Sequence, residues 1–105
     1  MESNNMVKEA KSDATAIFPE GQLVNFVYTA LGAKKVSVAG SFNNWNSDEL
    51  VLQKDFIGNW RGDIHLKPGR YQYRYNVDGK WVNDPSARNT MPNEFGTRNT
   101  LLVVR

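Results

Sequence analysis

Residues 71 to 81 read YQYRYNVDGKW, and this stretch indicates most directly how the chain folds. Its first seven residues alternate strictly between apolar and polar side chains, which is the period of a β-strand with one buried face. The apolar face comprises Tyr71, Tyr73, Tyr75 and Val77. Arg74 points to the opposite face, where a rigid strand can present it to a ligand. Asp78 and Gly79 favour a tight hairpin turn because both accept positive φ angles.

The rest of the sequence from Gly21 onward is typical of an all-β protein. Short runs of β-branched and aromatic residues are separated by Gly, Pro, Asn and Asp at intervals of about 8 to 12 residues. The other runs that we expect to form strands cover residues 22 to 30, 34 to 40, 50 to 54, 60 to 66 and 99 to 105. We therefore predict an all-β, immunoglobulin-like β-sandwich of about seven antiparallel strands.

The length and charge of the chain limit what it can be. The chain has 105 residues, enough for one domain, and we expect a flexible N-terminal tail over residues 1 to 17 and the β-sandwich over residues 18 to 105. The formal net charge is +2, and the basic residues are dispersed along the chain. Since a nucleic-acid interface usually shows a basic stripe or cluster, we expect no nucleic-acid partner.

The sequence also bears on the membrane and the compartment. No apolar run approaches the roughly 20 residues that a membrane-spanning helix needs. We see no signal-peptide pattern near the N-terminus. We therefore expect a soluble, cytoplasmic protein without a membrane partner.

Few groups in the sequence are suited to catalysis. The chain has no cysteine, which excludes a thiolate nucleophile, a disulfide and cysteine-ligated zinc. The single histidine, His65, is interpreted as a solvated strand residue, and Asp78 and Asp84 lie in turn sequences that explain them. No phosphate-binding glycine loop or metal-ligand spacing is present. We therefore expect no enzyme activity, no cofactor and no metal.

Two tryptophans stand where the sequence indicates exposed loops. Residues 38 to 50, VAGSFNNWNSDEL, place Trp45 among residues that specify a turn. Trp81 follows the predicted hairpin and begins a stretch, residues 81 to 100, that has almost no strand signal. Loops of this length inside a compact domain are usually functional or disordered. Both tryptophans are therefore candidates for ligand binding.

The polar residues around these tryptophans suit a neutral carbohydrate. The faces of a pyranose ring carry C–H groups that pack on an aromatic plate, and its edges carry hydroxyls that need donors and acceptors. An indole supplies the plate, while asparagine and arginine supply the hydrogen-bonding groups. The planar and amide side chains outside the expected core are Trp45, Trp81, Phe95, Asn43, Asn44, Asn46, Asn83, Asn99 and Arg74.

Structural roles stay open for several of these residues. Trp45 could cover the core, Trp81 could pack on an edge strand, and Asn43 and Asn44 could serve only the turn. Trp60 lies at the start of a predicted strand, and we expect it in the core.

Three segments carry a resemblance to a known family: VSVAGSFNNW at 36 to 45, GRYQYRYNVDGKWVNDP at 69 to 85 and FGTRNTLLVV at 95 to 104. Together they resemble the glycogen-binding domain of the AMP-activated protein kinase β subunit and, more broadly, family 48 carbohydrate-binding modules. The resemblance covers about residues 22 to 104 and implies the early set form of the immunoglobulin-like sandwich. It implies non-catalytic binding of an α-1,4-linked glucan such as glycogen, starch, a maltooligosaccharide or a cyclodextrin. It also implies tethering of a kinase or a glucan-metabolising enzyme to the polymer.

The resemblance assigns roles to individual residues. It implies that Trp45 and Trp81 are stacking platforms, that Arg74 replaces a lysine that hydrogen-bonds the sugar, and that Asn99 contacts sugar hydroxyls. Phe95 stands where the family has a leucine inside the curve of the glucan, although the chain between Trp81 and Gly96 is slightly longer here. The complete set of expected carbohydrate-binding residues is Trp45, Trp81, Arg74, Asn99, Phe95 and Asn44.

Two other functions stay open. A protein-interaction or scaffold domain of a kinase or metabolic complex would require Trp45 and Trp81 to be packed rather than exposed. An accessory N-terminal domain of an α-glucan-acting glycoside hydrolase or branching enzyme would have the same sandwich. A single-stranded nucleic-acid binder also combines aromatic rings with positive charge, but the diffuse charge of this chain disfavours it.

Overall fold

The computed structural model describes residues 21 to 105, which form two antiparallel β-sheets packed on one core. The strands are β1 Gln22–Thr29, β2 Val36–Gly40, β3 Leu50–Val51, β4 Gln53–Lys54, β5 Asn59–Leu66, β6 Gly69–Val77, β7 Lys80–Val82, β8 Thr90–Pro92 and β9 Arg98–Val104. The predicted β-sandwich is confirmed. The predicted tail, residues 1 to 17, lies outside the described residues, as do the first three residues of the predicted domain.

Strand β6 is the centre of the larger sheet. The order of this sheet is β3-β2-β6-β9-β8, and β7 also pairs with β6. β2 pairs with the second half of β6, so Ala39 lies opposite Arg74. β9 pairs with the first half of β6, and β7 returns from the Asp78-Gly79 turn so that Trp81 lies opposite Asn76. The smaller sheet has the order β1-β5-β4.

The predicted strand over residues 50 to 54 is divided between the two sheets. Leu50–Val51 pairs with β2 in the larger sheet, and Gln53–Lys54 pairs with β5 in the smaller one. Between them, Leu52 is buried and its N–H donates to the Val36 carbonyl at 2.9 Å. Because alternation along a strand does not specify the sheet it joins, the sequence indicated one strand where the chain crosses between sheets.

Aromatic side chains fill the space between the sheets. Tyr73 and Tyr75 are buried, as the alternation predicts, and the ring of Phe26 stands edge-on to both, with centroid distances of 5.1 and 6.3 Å. Trp60 is also buried, which confirms its assignment to the core, and its Nε1 donates to the Ala30 carbonyl at 3.0 Å. Edge-to-face contacts of this kind add to the hydrophobic gain of burial.

The hydroxyls of the two buried tyrosines have defined acceptors. Tyr73 OH donates to Asp84 Oδ2 at 2.7 Å, and Tyr75 OH donates to the Val27 carbonyl at 3.2 Å. Burial, followed by the nearby Asp84 carboxylate, raises the pKa of both tyrosines above the ordinary value. Asp84 also accepts from the N–H and Oγ of Ser86, so it fastens the loop after β7 to the core as well as forming the predicted turn.

We expect the free energy of unfolding to fall steeply above about pH 10, where tyrosines of the unfolded chain lose their protons. The folded state keeps Tyr73 and Tyr75 protonated because their pKa values are raised. The unfolded state then binds fewer protons, so the stability that is present below this pH is lost as the pH rises, by up to about 1.4 kcal/mol per group and pH unit. Urea unfolding at a series of pH values measures this slope. The Tyr73→Phe, Tyr75→Phe double variant should show a shallower slope, and an unchanged slope would contradict the prediction.

Candidate functional site

The turn after β2 is held by a buried asparagine. The side-chain Oδ1 of Asn43 accepts from the Gly40 N–H at 3.0 Å, and its Nδ2 donates to the Val38 carbonyl at 3.2 Å. The Gly40 carbonyl accepts from the N–H groups of Asn43 and Trp45 at 3.1 and 2.9 Å. Asn43 therefore serves the turn, one of the roles left open by the sequence, and it fixes the position from which Trp45 projects.

Trp45 has a backbone conformation that is unusual for its residue type. The φ angles of Asn44 and Trp45 are 55° and 58°, in the left-handed region. Asparagine tolerates this region, whereas a residue such as tryptophan pays about 1 kcal/mol or more. Trp45 is 37% exposed, so a substantial part of its surface is accessible to solvent.

Trp81 stands beside Trp45 on the outer face of the larger sheet. The ring centroids are 6.3 Å apart, and the ring planes cross at 72°. Trp81 is 41% exposed. The Asp78-Gly79 hairpin turn places Trp81 on β7. The turn after β2, which Asn43 holds, brings Trp45 next to the Trp81 ring. The two rings therefore form an L-shaped apolar wall that is open to solvent.

Arg74 projects from the centre of the same sheet face, as the alternation predicts. It is partly buried, and its Nε has no hydrogen-bond partner among residues 21 to 105. Buried donors in folded proteins are nearly always paired. The unpaired Nε–H is itself buried, so burial of this polar group is uncompensated in the free domain.

A chain of amide hydrogen bonds lies next to Arg74. The Asn99 side chain is buried, its Nδ2 donates to Gln72 Oε1 at 3.2 Å, and its Oδ1 accepts from Asn93 Nδ2 at 3.1 Å. The Oδ1 of Asn93 accepts from the N–H groups of Phe95 and Thr97 at 3.0 and 3.1 Å. These bonds fix the orientation of each amide. The side-chain amide of Asn99 is therefore held in one orientation.

These groups line one cleft with a volume of about 390 Å³. The lining residues are Trp45, Arg74, Trp81, Asn93, Glu94, Phe95 and Asn99. The structure thus brings together all the predicted site residues except Asn44, which is exposed but does not line the cleft. Phe95 is 81% exposed and supplies a further apolar surface at the rim.

Sequence reasoning missed Asn93 and Glu94. The available signal was the sequence from Asn93 to Gly96, in which an asparagine side chain caps a turn that ends at a glycine with positive φ. Two candidate amides have structural roles instead: Asn83 Nδ2 donates to the Arg98 carbonyl, and Asn46 Oδ1 accepts from the Asp48 N–H.

A cluster of metal ligands and a membrane-spanning helix are both absent from residues 21 to 105. These residues contain no group of three or more His, Cys, Asp or Glu that could hold a metal ion. In the same part of the chain, no helix has the length and apolar character to cross a membrane.

On an immunoglobulin-like sandwich, an open cleft with paired indoles, an arginine and fixed amides has the groups expected of a carbohydrate-binding module. More specifically, the chain belongs to the family described as the glycogen recognition site of AMP-activated protein kinase, whose model matches residues 20 to 105.

Individual relatives agree with this assignment. The 5'-AMP-activated protein kinase subunit beta-2 of Homo sapiens is 37% identical over 76 residues, which cover 70% of this chain and 26% of the relative. Subunit beta-1 of Sus scrofa is 35% identical over 74 residues, which cover 70% of this chain and 57% of the relative. The chain thus spans about a quarter of the length of the beta-2 relative.

A solved structure supports the fold. A maltogenic amylase from S. marinus superposes with a TM-score of 0.69 at 21% identity, over 81% of this chain and 14% of the amylase. This likeness shows the fold alone.

Proposed function

We propose that this domain binds an α-1,4-linked glucan of the glycogen or starch type and catalyses no reaction on it. The observation that carries the proposal is the convergence of Trp45, Trp81 and Arg74 from separate segments on one open cleft. The indoles would pack against the C–H faces of glucose rings, and Arg74 and Asn99 would hydrogen-bond the hydroxyl edges.

The remaining predicted residues have more peripheral roles in this proposal. Phe95, at the rim, would contact the apolar inner side of a curved glucan. Asn44 does not line the cleft, so it would contact only a ligand that extends past Trp45. The protein-interaction alternative requires packed indoles, and the exposure of Trp45 and Trp81 therefore favours the glucan.

The open form of the cleft indicates weak binding to a single chain end. Each sugar hydroxyl exchanges water for protein at little net gain, and an exposed site excludes little solvent. A branched polymer presents many equivalent ends, so several weak contacts would act together. We propose that the domain tethers a kinase or a glucan-metabolising enzyme to the polymer in the cytoplasm, the compartment expected from the sequence.

A titration tests the glucan proposal. Maltoheptaose and β-cyclodextrin are added while the tryptophan fluorescence is recorded, with cellohexaose as the control. We expect both α-glucans to change the emission saturably, since two of the three tryptophans line the cleft. Equal binding of cellohexaose, or no response to either α-glucan, would refute the proposal.

We expect Arg74→Met to reduce the affinity for maltoheptaose about tenfold, the effect of losing one or two hydrogen bonds to a charged group. The free energy of unfolding should stay the same or rise, because the Arg74 Nε has no partner in the free domain. Isothermal titration calorimetry and urea unfolding measure the two quantities. If the variant were clearly less stable, Arg74 would have a structural role and the prediction would fail.

A further inference from the structure

We propose that the cleft continues beyond Trp45 into a second subsite, which takes a further neutral, hydroxyl-rich sugar unit of the same polymer. This inference rests on the proposed function. It assigns ligand-binding roles to Gln72, Ser41 and Glu94, which the sequence did not indicate.

A second cavity adjoins the cleft and has a volume of about 300 Å³. Its lining residues are Ser41, Trp45, Gln72, Pro92, Asn93, Glu94 and Asn99. Trp45, Asn93, Glu94 and Asn99 line both cavities, so the two form one continuous groove. Cavities of a few hundred Å³ are large enough to take a small ligand. A polymer chain lying against Trp45 could therefore enter both.

The second cavity has free donors and acceptors in fixed positions. Gln72 Oε1 accepts from Asn99 Nδ2 at 3.2 Å, which orients the amide, and Gln72 Nε2 has no acceptor among residues 21 to 105. Ser41 Oγ accepts from the Gln72 N–H at 3.1 Å, which leaves the hydroxyl proton to donate to a ligand. Glu94 is exposed and has no ion pair within the described chain, so its carboxylate can accept.

The residues that line the second cavity indicate which kind of ligand fits there. Its lining comprises a hydroxyl, amides and a carboxylate together with Trp45 and Pro92, so it matches the edge of a sugar better than an apolar group. Arg74 lines only the first cavity, whereas Glu94 lines both. A phosphorylated or carboxylated sugar would meet a like charge without a compensating cation in the second cavity. The subsite therefore fits an uncharged unit.

Two variants that fill the second cavity test this inference. Ser41→Tyr and Pro92→Tyr place a ring in the groove from exposed positions that do not line the first cavity. We expect the ratio of the affinities for maltoheptaose and maltotriose to fall at least about fivefold, with maltotriose affinity changed less than about twofold. Either variant alone suffices if the other does not fold. Val103→Tyr, at an exposed position outside both cavities, is the matched control.

The side-chain amide of Gln72 gives an independent readout by NMR. In the unmodified protein, its signals should shift clearly more on addition of maltoheptaose than with maltotriose, which reaches Gln72 only through Asn99. An unchanged affinity ratio in both filling variants, an equal loss for both ligands, or an amide signal that does not respond to maltoheptaose would overturn the second subsite. Failure of the unmodified protein to bind either oligosaccharide would instead overturn the proposed function itself.

Discussion

Trp81→Ala is expected to reduce the affinity for maltoheptaose by about thirtyfold or more, equivalent to about 2 kcal/mol, as for an aromatic residue that anchors an interface. Trp81 is 41% exposed and stands 6.3 Å from Trp45, so its loss removes one side of the apolar wall and leaves the core intact. The free energy of unfolding should therefore change by less than about 1 kcal/mol. Calorimetric titration and urea unfolding of the same samples measure both effects.

Phe56→Ala is the matched control for Trp81→Ala. Phe56 is 99% exposed and lines neither cavity, so its removal tests whether any exposed aromatic residue affects binding. Its truncation should leave both quantities unchanged. A Trp81→Ala protein that unfolds would show that the indole is part of the core, and one that keeps full affinity would show that the ligand binds elsewhere.

Asn43→Asp is expected to lower the free energy of unfolding by about 3 kcal/mol and to weaken glucan binding in parallel. One aspartate oxygen can still accept from the Gly40 N–H, but the other replaces the Nδ2 that donates to the Val38 carbonyl. A buried negative charge would then face a carbonyl oxygen, and the turn that carries Trp45 would open. Urea unfolding at neutral pH measures the loss, which should shrink as the pH falls toward about 4, because a carboxyl buried against a carbonyl protonates above its ordinary pKa and can then donate again.

Asn44→Asp is the matched control for Asn43→Asp. Asn44 is adjacent and of the same type, but it is exposed and donates no side-chain hydrogen bond within residues 21 to 105. The same change there should alter stability by no more than about 0.5 kcal/mol. Equal effects at both positions would mean that the charge itself, rather than the lost donor, is responsible.

The sequence predicted those features of the fold that depend on neighbouring residues, namely which face of a strand is buried and where the chain turns. Alternation along β6 identified the buried tyrosines and the outward Arg74, and Asp78 with Gly79 identified the hairpin turn that follows this strand. The pairing of β2 with β6, which brings Trp45 to Trp81, joins residues 33 to 41 positions apart and has no local signal. The resemblance to a family implied instead that both tryptophans contact one ligand.

Roles that depend on tertiary surroundings could not be predicted from residue type. Asn43, Asn83 and Asn99 are chemically identical, yet the first holds a turn, the second holds a loop and the third lines the cleft. The sequence also failed to predict the short strands β7 and β8. Their residues have little strand propensity and become strands because β7 pairs with β6 and β8 pairs with β9.

The left-handed backbone at Trp45 also has an evolutionary consequence. Glycine adopts this conformation without steric cost. Position 45 would therefore be most stable as glycine, yet it carries tryptophan, the largest type of side chain. Selection for thermal stability alone would therefore tend to replace Trp45 with glycine. A lineage that retains tryptophan here sacrifices some robustness of the fold, as expected where a site is maintained for recognition rather than for architecture.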